Sequence, residues 1–344
     1  MKADCILLYG NALIPTSKYA GTFRIATIQI STIASVKGIK MFYKNNWFSY
    51  AYDSKPFGHK NTPSSEFTIE LSPTVISVKS YYEELKNNAM CIRDMFTGTL
   101  DLLFSGGIDS EVVLRIYNDL QIPINVYIFK YENNYNYKEF NQAIKICESL
   151  DSKYTVIDFN LEKFFENEAY GIWSKVNCKG SGWLPHMKMT EYLDGTPIIG
   201  SGDPYWIRAS KDLTVKQPWK FEIDEGAKAW SVYHKHIQRN VVTDWYEYSP
   251  EMIISHLNLP LIQKLINDQI PGKLSSFSSK AVVHKEIWPD IDIRPKLVGF
   301  EGDNPAGYSS KPAFMLDFDN IYCTDVSSKK YYFTEEELRK KLIV

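Results

Sequence analysis

Apolar and polar residues alternate in two early stretches, Arg24-Ile25-Ala26-Thr27-Ile28-Gln29-Ile30 and Phe67-Thr68-Ile69-Glu70-Leu71. That period of two belongs to half-buried strands. Between them, residues 54–65 carry Pro56, Gly58 and Pro63 and read as a loop. Residues 79–96 change to helical spacing, with Tyr82, Leu85, Met90, Ile92 and Met95 on one side. From Thr97 onward, short apolar runs alternate with amphipathic stretches. The pattern predicts strand 100–104, helix 110–120, strand 124–129, helix 137–150, strand 154–159 and a short strand at 197–200. Strands alternating with helices of about 10–15 residues indicate βαβ units and a parallel sheet. Beyond about residue 211 the pattern is mainly helical, with helices at 224–239, 249–268 and 278–288. Thr334-Glu335-Glu336-Glu337 opens a last helix with a capping-box sequence. The expected fold is α/β: a small β-rich N-terminal module (1–78), a parallel-sheet domain of five-stranded type (79–300) and a C-terminal extension (301–344), with the chain largely helical beyond the sheet.

Six residues carry the chemistry: Ser105-Gly106-Gly107-Ile108-Asp109-Ser110, directly after the apolar run Leu102-Leu103-Phe104 and directly before a predicted helix. A strand, a glycine turn and a helix point backbone N–H groups at an anion. The glycines permit close approach, and the Ser105 and Ser110 hydroxyls add donors. Asp109 fits beside phosphate only if a divalent cation bridges the two charges. A magnesium nucleotide satisfies all of these groups. No Gly-Lys-Ser/Thr follows, so this is not the loop of the common phosphate-binding ATPases.

The string Ser-Gly-Gly-X-Asp-Ser resembles the pyrophosphate (PP) loop of the N-type ATP pyrophosphatases. That superfamily includes asparagine synthetase, GMP synthetase, NAD synthetase and several enzymes that modify tRNA or nucleobases. The resemblance implies ATP and Mg2+ as cofactors, cleavage between the α and β phosphates, and activation of a substrate oxygen as an adenylate. It also implies adenine contacts near Tyr131-Glu132-Asn133-Asn134-Tyr135, after the second strand, a stretch whose polar aromatic character equally suits an exposed loop.

Residues 280–300 resemble the C-terminal signature of the asparagine synthetase synthase domain, with matches at Lys280, Arg294, Lys296 and Phe300 and a shorter spacer. That resemblance implies catalytic roles for Lys280 and Lys296 beside the phosphates. Independently of it, departing pyrophosphate is highly charged, and a compact cation held near it lowers the barrier. The family also carries a magnesium-binding loop after a later strand. Here Ile198-Ile199-Gly200-Ser201-Gly202-Asp203-Pro204-Tyr205 keeps Gly200 and Gly202 but brings its aspartate one residue early. Asp203 is therefore read either as a second magnesium ligand or as a turn-capping residue. The altered loop speaks against a housekeeping asparagine synthetase. Cys5 stands four residues late for a glutaminase nucleophile and reads as a small core residue. The amine is then free ammonia, a substrate amine or ammonia from a separate glutaminase.

Composition excludes rather than identifies. Of 344 residues, 44% are hydrophobic and 23% charged, which is ordinary for a soluble globular protein. A net charge of −2 supplies no basic field for a long nucleic acid. The cysteines, Cys5, Cys91, Cys147, Cys178 and Cys323, never share a Cys-X-X-Cys spacing, which argues against structural zinc and against a secreted disulfide framework. Reduced thiols in a cytoplasmic protein are expected. No apolar run reaches the ~18 residues of a membrane span, and the apolar stretch near the start is too short for a signal peptide. The six histidines form no ligand array: His234 and His236 point to different sides of a helix, and His186 is expected to be structural.

The expected function is an ATP-dependent ligase. A small-molecule or peptide carboxylate attacks the α-phosphorus, pyrophosphate leaves toward Lys280 and Lys296, and ammonia or an amine displaces AMP. One alternative is an enzyme that activates a carbonyl of a nucleobase or tRNA, against which the missing cysteine pair and the Arg294-Pro295-Lys296 string count. Another is a degenerate nucleotide-binding partner protein. The substrate pocket is expected within 175–217.

Overall fold

The computed structural model describes residues 47–56, 58, 60–201, 204, 206–208, 219–267, 277–293 and 311–343, all within the unit Lys40–Val344. The strand expected at 24–30 and Cys5 lie outside the described residues.

The first elements are β1 (Phe48–Tyr52), β2 (Lys55–Pro56) and β3 (Phe67–Leu71), an antiparallel sheet in the order β2-β1-β3. Tyr50 lies opposite Ile69, so the alternation read at 67–71 puts Phe67 and Leu71 inward. A short strand β4 (Thr74–Val75) precedes helix α1 (Tyr81–Met95). Ser80 and Glu83 cap α1 reciprocally, the Ser80 hydroxyl accepting from the Glu83 N–H.

The alternating segment forms β5 (Leu100–Leu103), α2 (Ile108–Asp119), β6 (Asn125–Tyr131), α3 (Tyr137–Ser149) and β7 (Thr155–Phe159) as expected. Three helices that the pattern did not predict follow, α4 (Leu161–Asn167), α5 (Ala169–Val176) and α6 (Leu184–Thr190), and then the expected short strand β8 (Thr196–Ile199). The sheet has the order β7-β6-β5-β8 and is parallel throughout. β5 is central, with Leu100 and Leu102 buried on it. Asp101 is buried too, and its carboxylate accepts from the Asn125 amide (2.8 Å) and the Gly195 N–H (2.6 Å), tying three strands at their amino ends. Instead of a fifth full strand, Val242 makes a one-residue parallel bridge with Ile198 outside β8. The Val242 N–H donates to Pro197 O and its carbonyl accepts from the Ile199 N–H, both at 2.9 Å.

Among the described residues the second half is mainly helical, as expected, but it also holds strands that the pattern did not predict. β9 (Trp206–Arg208), β10 (Trp219–Asp224) and, far later, β11 (Lys330–Thr334) form an antiparallel sheet with β10 in the middle. Phe221 and Ile223 alternate with polar residues and are fully buried, so a period-two signal was present in a stretch otherwise read as helix. Helix α7 (Glu225–His236) follows. The single helix expected at 249–268 is two, α8 (Pro250–Leu257) and α9 (Pro260–Asn267). Pro260 has no N–H to continue the ladder and disfavours helical geometry just before it. α10 (Phe277–Lys285) packs on α2, and α11 (Ala313–Phe318) packs on α4. The last helix, α12 (Glu335–Lys341), has the predicted capping box on Thr334 and Glu337. β12 (Leu342–Ile343) then pairs in parallel with β4.

Candidate nucleotide-binding site

Everything at the site starts from the carboxyl end of β5. Pairing continues one residue past the strand, the Phe104 N–H donating to Tyr127 O at 2.9 Å, and the chain then turns sharply. Gly106 takes the left-handed conformation, φ +71°, and a Cβ there would lie 2.7 Å from the backbone nitrogen of Ala143 in α3. Only glycine meets both demands. Gly107 is the N-cap of α2 and offers no side-chain cap. The first helical bond runs from the Glu111 N–H to Gly107 O, so the helix itself does not use the N–H groups of 108–110.

The hydroxyls are organised around this turn. Ser105 Oγ accepts from the Gly107 N–H at 3.2 Å, Ser110 Oγ donates to Gly107 O at 3.0 Å, and the two oxygens are 3.3 Å apart. Asp109 is half-buried in the first turn of α2. The donor set therefore fits a magnesium nucleotide: N–H groups at a helix start, two hydroxyls for phosphate oxygens, and one carboxylate for the cation.

Gly200, the residue after β8, is pressed against this turn, since a Cβ there would lie 2.9 Å from Ser110 Cα. Ser201 accepts from the Tyr246 N–H at 3.3 Å through its carbonyl, and its hydroxyl donates to Thr243 O. Tyr246, fully buried, donates its hydroxyl to Asp109 O at 2.9 Å. Sequence reading missed Thr243 and Tyr246, because nothing local marks them; they reach the loop only through the Val242 bridge.

Two of the remaining residues expected at the site, Lys296 and Asp203, lie outside the described residues, together with Gly202, Arg294 and Phe300. Lys280 lies within α10. The next residue, Ala281, is buried, and His284, one turn on, lies 5.9 Å from the Tyr81 ring and 6.5 Å from the Tyr246 ring. Ion pairs hold the segment after α10 to the loop-bearing helices: Arg115 of α2 bridges Glu111 (2.8 Å) and Asp290 (2.9 Å). The Trp288 indole donates to Asp119 at 3.1 Å.

After β6, Asn133 and Asn134 both have positive φ, 59° and 57°. Asn136 fixes this turn by accepting from the Tyr131 N–H (2.8 Å) and donating to Phe129 O (2.9 Å). His186 is stacked on Trp230, whose other neighbour in the stack is His234. Burial lowers both histidines to about 4, which keeps the rings neutral near pH 7. The cysteines among the described residues are free thiols, and burial pushes Cys147 and Cys178 up to about 12, too high for thiolate chemistry. No helix among the described residues is long and apolar enough to cross a membrane.

Residues 101–176, from β5 to the end of α5, match the family QueC, described as queuosine biosynthesis protein QueC. The 7-cyano-7-deazaguanine synthase of Methanocaldococcus jannaschii is 38% identical over 107 residues, 31% of this chain and 42% of that protein. The chain thus spans less than half the length of this relative. An NMN synthetase from Francisella tularensis is similar at 13% identity and a TM-score of 0.30, over 71% of this chain and 91% of its own. The NH3-dependent NAD synthetase from Campylobacter jejuni is similar at 14% identity and a TM-score of 0.27, over 36% and 56%. The fold is the α/β fold with a parallel sheet that the sequence predicts, and residues 101–176 are similar to the QueC family. The asparagine synthetase subtype finds no support here: the matching sequences are of the QueC kind.

Proposed function

We propose that this chain uses Mg-ATP to adenylate an oxygen carried by a planar nitrogen heterocycle and then lets ammonia displace AMP. The observation that carries this reading is a coincidence of position. The match to the family QueC, over residues 101–176, covers the strand, turn and helix that present Ser105, Gly106, Gly107, Asp109 and Ser110.

The chemistry joins the two enzymatic alternatives that the sequence raised. A cyano carbon stands at the oxidation level of a carboxylic acid, so reaching it from a carboxylate and ammonia needs no redox step. It needs two oxygens removed, and neither leaves unaided. In the first half a carboxylate oxygen attacks the α-phosphorus, the bond to pyrophosphate breaks, and ammonia adds to the carbonyl carbon and expels AMP with loss of a proton. In the second half the amide oxygen attacks the α-phosphorus of another ATP, pyrophosphate leaves, and AMP then departs as both amide N–H protons are lost to give the nitrile. Amide formation is thus the first stage of nitrile formation, with a heteroaromatic acid in place of an aspartate-like one.

In this scheme the Ser105 and Ser110 hydroxyls and the first N–H groups of α2 hold the terminal phosphates. Magnesium, when bound, would neutralise those phosphates, held by Asp109 and, in this proposal, Asp203. Lys280 and Lys296 are assigned to the leaving pyrophosphate, and ammonia arrives free or from a glutaminase partner.

The test is pyrophosphate and AMP release with Mg-ATP, ammonium and either 7-deazaguanine-7-carboxylic acid or aspartate. Release is expected with the heterocycle alone, and Asp109→Ala or Lys296→Ala should lower it by about 100-fold or more. Equal release with aspartate, or normal turnover by both variants, would overturn the proposal.

A further inference from the structure

We infer that Tyr246 is a positioning residue of the nucleotide site, locking the first turn of α2 so that Asp109 faces the phosphates in one orientation. The inference rests on the nucleotide-binding half of the proposed function and not on the identity of the acceptor.

Three observations meet at this side chain. Its hydroxyl donates to Asp109 O at 2.9 Å, across 137 residues of sequence, and so bonds the backbone of the residue proposed to hold magnesium. Its own N–H donates to Ser201 O at 3.3 Å, while the Ser201 hydroxyl returns to Thr243 O. The short stretch 243–246 is therefore stitched to the end of β8, which itself abuts Ser110 through Gly200. Finally, the Tyr246 ring lies 6.5 Å from His284, one turn after Lys280 on α10. One buried residue thus touches the loop, the end of the neighbouring strand and the helix that carries Lys280.

Topology gives the contact its meaning. Val242 occupies the fifth position of the sheet by bridging Ile198 in parallel, so 243–246 leave from the carboxyl side, as the loop at 105–107 does. Ligands of open parallel sheets bind at that side. A helix carbonyl has two lone pairs, and the Asp109 oxygen can accept from Tyr246 without giving up its place in the helix. The added bond restrains rotation of the first turn, which would otherwise fray. Restraint at that point is what a carboxylate needs if it is to meet a metal without reorganising.

The experiment compares Tyr246→Phe with wild type and with Tyr248→Phe. The Phe variant keeps the buried ring and removes one donor. Tyr248, two residues on, donates its hydroxyl to Met95 Sδ at 3.4 Å and serves as a structural control. Binding of Mg-AMPCPP, a non-hydrolysable ATP analogue, is measured by calorimetry across a magnesium titration, alongside the melting temperature. Tyr246→Phe should weaken magnesium-dependent nucleotide binding about three- to tenfold, the size of one hydrogen bond. The melting temperature should fall no further than in Tyr248→Phe, whose nucleotide binding stays at the wild-type level. Unchanged binding in Tyr246→Phe, or an equal loss in both variants, would overturn the inference. Because the readout is binding, wild-type protein that binds Mg-AMPCPP but turns over no heteroaromatic acid would sink the proposed reaction and leave this test intact. Wild-type protein that fails to bind Mg-AMPCPP would sink both.

Discussion

At the scale of single residues, Gly106 sets the sharpest constraint. Its positive φ and the backbone of Ala143 beneath it leave no room for a methyl group. Gly106→Ala would force both a left-handed non-glycine residue and a shift of α3, costing about 1–3 kcal/mol of stability. The larger effect should fall on the turn itself, with Mg-nucleotide affinity lowered by at least about tenfold, equal to about 1.4 kcal/mol. Calorimetric titration together with thermal melting separates the two effects; wild-type affinity in Gly106→Ala would show that the turn does not need its observed geometry. This requirement is visible in sequence, because a glycine between a buried strand and a helix has few other reasons to be there. Tyr246 is the opposite case. Its neighbours Trp245 and Glu247 give no hint that its hydroxyl ends on a loop 137 positions earlier.

At the scale of elements, α7 is held by a buried ionic network. Lys228 Nζ lies 2.6 Å from Glu247 and 3.1 Å from Asp244, and all three side chains are almost wholly buried. Burial opposes the ammonium charge, but the two carboxylates outweigh it and raise the Lys228 pKa. The ammonium also sits 5.0 Å above the Phe48 ring, so α7, β1 and the stretch leading to Tyr246 share one charge centre. Lys228→Met would leave two buried carboxylates without their cation, at a cost of about 3–5 kcal/mol. Denaturant unfolding checks this; a loss under about 1 kcal/mol, the scale of a surface pair, would mean that water reaches the carboxylates. The periodicity of single elements was legible for the same physical reason throughout: helices and strands that bury one face must repeat at 3.6 or 2 residues. β10 was lost because its alternation lies in a short stretch beside a helix. The break at Pro260 was legible in principle, since proline cannot donate to the ladder.

At the scale of the whole molecule, sheet closure is remote. Lys60 and Glu225 form a buried ion pair at 2.7 Å, Tyr331 donates to Phe67 O at 2.7 Å, and β12 returns to β4. Stability of this assembly should depend on pH through the two histidines that burial lowers to about 4, His186 and His234, of which His234 is the more fully bonded. His234 lies between Thr190 (2.8 Å) and the Trp230 carbonyl (2.8 Å), and burial lowers its pKa to about 4 from the ordinary 6.5. As pH falls below about 6.5, the unfolded chain takes up the proton before the folded one does. The stabilising effect is therefore complete above that pH and is lost progressively toward pH 4, to the extent of about 3 kcal/mol. Unfolding free energies measured between pH 4 and 7 should fall along this window, and His234→Gln should flatten the slope. An identical slope in that variant would assign the pH dependence to other groups.

The sequence alone determined the order of strands and helices from 79 to 159 and the glycine turn at 105–110 between a strand and a helix. Each of these is a local property, written in side-chain period, in glycine placement and in which donors sit together along a few residues. Tertiary structure decided which distant segments complete the site and close the sheets. Val242 beside Ile198, Tyr246 on Asp109, β11 against β10 and β12 beside β4 are pairings between residues tens to hundreds of positions apart. No local pattern encodes such partners, because backbone groups pair with whatever edge the folded core brings within reach.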